Sequence, residues 1–363
     1  MKVGLPALVS AMRSPSRLSL CLIFLAASAL ACSVPVFRYA LEHWPADPFQ
    51  VLVFHRGALT AELEQALTVV EATEGERPNV RVRRVDLDDQ PPAELLRLFE
   101  QQLEARAPWL VVRFPTSSGI LEPVVSAPLD KEILGRVLDS PARRELVRRL
   151  GEGQSAVWLL LESGDKEADD AAEKRLLERL DYLQGVMTLP KLDESDIANG
   201  LVSVPEEDLR LEFSLLRISR SDEAESMLVR QLLLSEDGLE EVEGEPMVFP
   251  VFGQGRALYA LVGEGIRNET IESAAAFLIG KCSCQVKDQN PGVDLLMQAD
   301  WTVAAKASPV LDRNLPTLEE LLPVETVTTE AKLAQPSNAG LPRWALGAGV
   351  LLLVLAGLRL LRR

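Results

Sequence analysis

The sequence predicts an α/β protein with a body of two tandem units held between two apolar ends. Elements in the order strand, helix, strand, helix, strand, strand, helix run from residue 49, and the order recurs after the Gly151-Glu152-Gly153 break. Apolar stretches occupy both termini. At 363 residues the chain exceeds one ordinary core, so two domains plus terminal segments are expected. Its composition, 47% hydrophobic and 25% charged, supplies that core and excludes a disordered or fibrous class.

In the first unit, residues 49–150, the strand Phe49 to Phe54 precedes a helix whose Leu59, Leu63, Leu67 and Val70 recur at helical spacing. A strand at Val80 to Leu87, a helix at Ala93 to Leu103, strands at Trp109 to Phe114 and Ile120 to Val125, and a helix at Asp130 to Asp139 follow. The second unit, residues 151–290, offers a strand at Ala156 to Glu162 and a helix carrying Ala172, Leu176, Leu180 and Leu183. Next come an insertion near Leu189 to Asp208, a strand at Leu211 to Ser219 and a helical stretch at Glu225 to Leu234. A strand opened by Glu245-Pro246, the Gly253-Gln254-Gly255-Arg256 turn, a strand at Ala257 to Val262 and a helix at Asn268 to Ile279 close it. Residues 291–342 are irregular and are expected to form a tether.

The element order and the segment Ala107-Pro108-Trp109-Leu110-Val111-Val112, where a proline opens the third strand, resemble the thioredoxin fold. Glu245-Pro246-Met247 repeats the feature, so the resemblance implies two thioredoxin-like domains over roughly residues 49 to 285, with Pro108 and Pro246 as cis-proline candidates. It also implies where chemistry should lie, because a catalytic member places Cys-x-x-Cys between the first strand and first helix, where the helix lowers the thiol pKa. This chain has Phe54-His55-Arg56-Gly57-Ala58-Leu59 and Ser163-Gly164-Asp165-Lys166 at those places. Neither offers a thiol. Relatives without these cysteines are usually retained for protein contacts, which is the role the resemblance implies here.

At the N-terminus Lys2, Arg13 and Arg17 precede an apolar run from Leu18 to Ala31, the order of a secretory signal over residues 1–31. Ala29-Leu30-Ala31 before Cys32 suits ordinary signal peptidase and also resembles a bacterial lipobox, which makes Cys32 the lipidation candidate. An uncleaved signal anchor is the third reading. At the C-terminus, residues 343–361 contain the uninterrupted Trp344 to Leu358 run, followed by Arg359, Arg362 and Arg363, as expected of a single transmembrane helix. Positive charge beside both apolar segments places them on the cytoplasmic side and the body outside, periplasmic or at the cell surface.

The net charge of −16 opposes a nucleic-acid partner or an anionic lipid surface for the body. Two histidines leave little side-chain chemistry near neutral pH. His43 has the reading of an interfacial residue or a ligand, and His55 that of a helix-entry residue. No Ser/His/Asp order, P-loop or dinucleotide glycine fingerprint occurs. The acidic pairs Asp169-Asp170, Glu236-Asp237 and Glu240-Glu241 are expected on solvated faces, and Asn268 is expected to cap its helix. Cys282 and Cys284 form a C-x-C pair after the last helix, with Gly280 as the expected C-cap. Its readings are a closely spaced structural disulfide, a redox pair, a soft-ligand pair for copper or zinc, or two structural thiols of which one could pair with Cys32. The expected function is a non-enzymatic, membrane-anchored module that binds another membrane or exported protein and carries no cofactor. The alternative is a metal-handling or thiol-relay protein working through Cys282 and Cys284.

Overall fold

The computed structural model describes residues 32–306 except 72–74, 76, 103, 104, 283 and 284. The expected leader and C-terminal span lie outside the described residues. Among the described residues no helix is long and apolar enough to cross a membrane.

The architecture is mixed α/β with two principal sheets. The first contains β1 (Phe49–His55), β3 (Val80–Asp86), β4 (Trp109–Arg113) and β5 (Pro123–Pro128), in the order β3-β1-β4-β5. β1 and β3 are parallel, and β4 runs antiparallel to both β1 and β5. Alternation along β1 sends Phe49, Val51 and Val53 to one face, beneath α2 (Ala61–Val70) and α4 (Lys131–Leu138). It sends Leu52 and Phe54 to the other, beneath α3 (Ala93–Glu100). Side-chain caps set the helix starts: Thr60 accepts from the Leu63 N–H, and Asp130 from the Ile133 N–H at 2.8 Å. β5 begins three residues later than expected. A turn through Thr116–Ser118 uses Ile120, whose N–H bonds the Ser118 hydroxyl at 3.2 Å.

The second sheet is built on β6 (Ala156–Leu161), parallel to β7 (Phe213–Ile218) and antiparallel to β8 (Met247–Phe252). Every residue of β6 and β8 is buried. Trp158, Leu160, Val248 and Phe252 pack under α6 (Lys166–Val186) and α9 (Asn268–Ile279). Val157, Leu159, Phe249 and Val251 face α5 (Pro141–Gly151) and α8 (Ser226–Leu233). α5 therefore belongs to the second core through Leu146 and Leu150, and the boundary expected at residue 150 falls before it. The single strand expected at Ala257 to Val262 is divided into β9 (Arg256–Ala257) and β10 (Leu261–Val262). The break faces Pro250, which has no N–H and whose carbonyl accepts from the Leu258 N–H at 2.9 Å. The insertion is irregular apart from the short α7 (Glu194–Ala198) and a 3-10 turn at Glu206–Asp208.

Two segments outside the repeated order complete the body. α1 (Val36–His43) precedes β1 in sequence but packs on the second sheet, where Val36, Phe37, Tyr39 and Ala40 join the core. The bridge Pro35 to Lys281 holds its entry, and the Val36 N–H donates to the Gly280 carbonyl at 2.9 Å. The stretch from Pro291, expected as tether, continues the fold as far as Lys306. β11 (Val293–Asp294) pairs with β9 of the second sheet, and β12 (Gln298–Ala299) pairs with β2 (Arg77–Pro78), just ahead of β3. Leu295, Leu296 and Met297 between them are buried, so the apolar run Leu295-Leu296-Met297 acts as a clasp. α10 (Trp301–Lys306) follows, and the rest of the expected tether lies outside the described residues.

Candidate functional site

In each half, a strand of the sheet leads through a short turn into a helix, the place where the resemblance to thioredoxins expects a thiol pair. In the first half the turn holds His55 and Arg56. His55 Nδ1 is hydrogen-bonded to the Gly57 carbonyl at 2.8 Å, and Arg56 pairs with Asp88 across 2.5 Å at an exposed position. Phe54 at the end of β1 is paired with Trp109 of β4, so Pro108 flanks this turn. The Ala107–Pro108 bond is cis.

The corresponding turn after β6 is filled by carboxylates. Asp169, only 2% exposed, accepts from the Ser163 N–H at 2.7 Å, the Ser163 hydroxyl at 2.8 Å and the Gly164 N–H at 3.2 Å. Asp165 caps α6 by accepting from the Glu167 and Ala168 N–H groups at 2.9 and 3.3 Å. The donors that would stabilise a thiolate at a helix N-terminus are thereby occupied. Asp169, expected on a solvated face, is corrected to a buried loop acceptor; its neighbour Asp170 does pair outward, with Lys166 and Arg217. The bond before Pro246 is trans, unlike that before Pro108. The Glu245 side chain lies over Gly263, where a Cβ would come within 2.2 Å of Glu245 Oε2.

Cys32 and Cys282 are 2% and 1% exposed and lie on paired segments, since the Cys282 N–H donates to the Val34 carbonyl at 2.9 Å. Both belong to the core cluster that contains Tyr39. Burial pushes the Cys32 thiol up, and the charges of Asp196 and Asp193 add to the rise, whereas a backbone hydrogen bond opposes it. Such a thiol is a poor nucleophile at neutral pH. Cys284 lies outside the described residues. Among the described residues, no group of three or more His, Cys, Asp and Glu side chains converges as a metal site.

His43 is structural: its Nε2 bonds the Leu201 carbonyl at 3.0 Å, and its ring lies 4.6 Å from that of Tyr39. Asn268 is the first residue of α9 and does not cap it; the Thr270 hydroxyl accepts from the Arg267 N–H at 3.3 Å instead. The Gly253-Gln254-Gly255 turn has a packing role. A Cβ at Gly253 would lie 2.7 Å from Ala40 Cβ, and one at Gly255 would lie 2.7 Å from Met297 Cγ. The turn thus receives both α1 and the clasp.

A feature absent from the sequence expectations is an open cleft of about 1140 Å³ on the α3 face of the first sheet. Arg81, Arg83, Arg97 and Arg113 line it. The alternation Val80-Arg81-Val82-Arg83 was the available signal, because it puts arginine on a sheet face that its neighbours use for burial. No protein-family model matches this chain, and no curated protein sequence matches it.

Proposed function

We propose that this chain is a non-enzymatic, membrane-anchored, extracytoplasmic interaction module made of two thioredoxin-like units without a thiol site. The fold part of the reading is supported by the shared arrangement of the two sheets: a central strand, a parallel neighbour, an antiparallel neighbour and a hairpin partner beyond it. The anchoring part rests on the apolar, arginine-flanked segments at the two ends of the sequence.

What supports the non-enzymatic reading is the turn after β6, where Asp165 and Asp169 take N–H donors that an attacking thiolate would need. A carboxylate in that place disfavours a second negative charge beside it. What remains is a body with two sheets and no cysteine at either first turn, which suits an assembly or accessory role with another membrane or exported protein.

The test compares the detergent-extracted protein with a Cys282→Ser, Cys284→Ser variant for dithiol exchange with a disulfide substrate and for bound copper or zinc by native mass spectrometry. The expected result is no exchange and no metal in either protein. Exchange or metal binding that disappears in a folded double variant overturns this reading in favour of a thiol-relay or metal-handling protein.

A further inference from the structure

We propose that the cleft on the first sheet binds an extended acidic peptide segment of a partner protein. This rests on the interaction-module reading and names the partner's chemistry.

The first support is charge. The protein carries 38 Lys and Arg against 54 Asp and Glu. Most of its described arginines are ion-paired, as with Arg84 on Glu64 and Glu71, Arg148 on Glu145 and Glu152, and Arg217 on Glu162, Asp170 and Glu173, while Arg143, Arg175 and Arg220 donate to backbone carbonyls instead. Among the described residues Arg81, Arg83, Arg97 and Arg113 make no such pair, and they share one cleft. Asp47 on the rim is already engaged by Lys287 at 3.0 Å and by the Ser117 hydroxyl at 2.7 Å. Glu94 and Glu122 are the other carboxylates of the lining and leave the arginines in excess.

The second support is spacing. Arg81 and Arg113 flank Gln50 in one row across the sheet, because Gln50 is registered with both. They are two strand intervals apart, about 10 Å. Arg83 lies one side-chain repeat along β3 from Arg81, about 7 Å, which is also the separation of alternate side chains in an extended peptide. Carboxylates at alternate positions of a strand-like segment therefore match Arg81 and Arg83, and Arg97 on α3 faces them from the wall. The apolar floor and rim, Leu52, Leu95, Leu98 and Leu121, favour a peptide whose other face carries apolar side chains. Leu121, 72% exposed, is unpartnered at the rim. The body's overall negative charge opposes any anionic ligand, but it opposes a nucleic acid, charged at every nucleotide and without apolar side chains for the leucines, more than a short segment with carboxylates at alternate positions.

The probe is a fluorescein-labelled peptide alternating Glu with Leu, titrated against the full chain by anisotropy at low and at physiological salt. A peptide with Gln for Glu and a short oligothymidylate serve as competitors. Saturable binding to the Glu peptide alone is expected, weakened by salt and about tenfold by Arg81→Gln or Arg113→Gln. Arg144→Gln, on the exposed face of α5, is expected to leave it unchanged. Circular dichroism checks that each variant is folded. Absence of binding, an equal loss in Arg144→Gln, or equal competition by the Gln peptide or the oligonucleotide overturns the proposal. A native partner cross-linked elsewhere on the body, together with a failed peptide titration, would leave the interaction module standing and sink only the cleft.

Discussion

Asp169→Ala tests whether the turn after β6 is held by its own carboxylate. The substitution removes the acceptor of three hydrogen bonds, from Ser163 N–H, Ser163 hydroxyl and Gly164 N–H. The acceptor is charged and buried, but the loop it serves is partly open, so water recovers some of the lost bonding. The expected loss is about 2–3 kcal/mol, and about 1 kcal/mol for Asp169→Asn, which keeps one acceptor oxygen. Urea unfolding followed by tryptophan fluorescence measures it, with Trp158 in β6 as a buried reporter, and hydrogen exchange at Ser163 and Gly164 localises it. A change within about 0.5 kcal/mol, with amide protection intact, would refute the reasoning. A thiol placed here gives the functional counterpart. Ser163→Cys is expected to react more slowly with an aromatic disulfide than a free cysteine, because the adjacent carboxylate disfavours the thiolate. Adding Asp169→Asn is expected to speed it. A Ser163→Cys thiol faster than free cysteine means that the turn activates, and the non-catalytic reading fails.

Leu295→Ala, at a fully buried position of the clasp, is expected to cost about 2–5 kcal/mol by urea midpoint; a cost under about 1 kcal/mol would make the clasp peripheral. Gly255→Val combines a φ of +88° with a collision against Met297 and is expected to cost about 2–4 kcal/mol, part of which Met297→Ala restores; no recovery in the double variant contradicts the contact. Burial acts to raise the Asp47 pKa, but hydrogen bonds from Ser117 and Lys287 and the charges of Lys287 and Arg256 outweigh it and hold it below 3.8. Its contribution is therefore complete above that value and lost as pH falls through the lower folded value, so Asp47→Asn should flatten the acid limb below about pH 4 by under 1 kcal/mol. An unchanged acid limb would remove Asp47 from that account. Cys32, 2% exposed within the second core, is expected to carry no acyl group in the folded protein; a diacylglyceryl mass on its peptide would require residues 32–35 to leave the core.

Much of the body was legible because its helices and strands carry their own periodicity. Ala172, Leu176, Leu180 and Leu183 mark the buried stripe of α6, and Asn268–Ile279 matches α9 at both ends. What local pattern missed is what tertiary contact decides. α1 is short and lies close to the expected leader, and its burial depends on the Gly253 turn, more than two hundred positions away in sequence. The clasp looked like tether because its strands are two residues long and gain stability only by pairing with edges that distant segments supply. Asp169 looked like half of a surface acidic pair, since sequence does not reveal which of two adjacent aspartates turns inward. The arginine cleft was hidden by the whole-chain charge, which averages over a local surface of opposite sign.

The positions of α1 and the clasp also constrain how the body works as a unit. The second sheet receives α1 from before the first sheet and β11 from after its own last helix, and the same stretch supplies β12 to β2. Arg143, 1% exposed, strengthens this closure by donating to the Val137 carbonyl at 2.7 Å, the Arg136 carbonyl at 2.6 Å and the Leu296 carbonyl at 3.3 Å. Burial pushes its pKa down to about 10, and the nearby carboxylates of Glu225 and Asp139 oppose that fall, so it remains charged at neutral pH. Asp294 in β11 joins the same closure through Arg256 at 2.9 Å and the Asp47 N–H at 2.7 Å. Motion of one sheet against the other would have to break the Arg143 bonds to Val137 and Arg136 and the Asp47–Asp294 bond, together with the packing of Leu295, Leu296 and Met297. A body closed in this way presents the first-sheet cleft on a fixed frame, which suits recognition of a segment brought by a partner better than chemistry that depends on opening and closing.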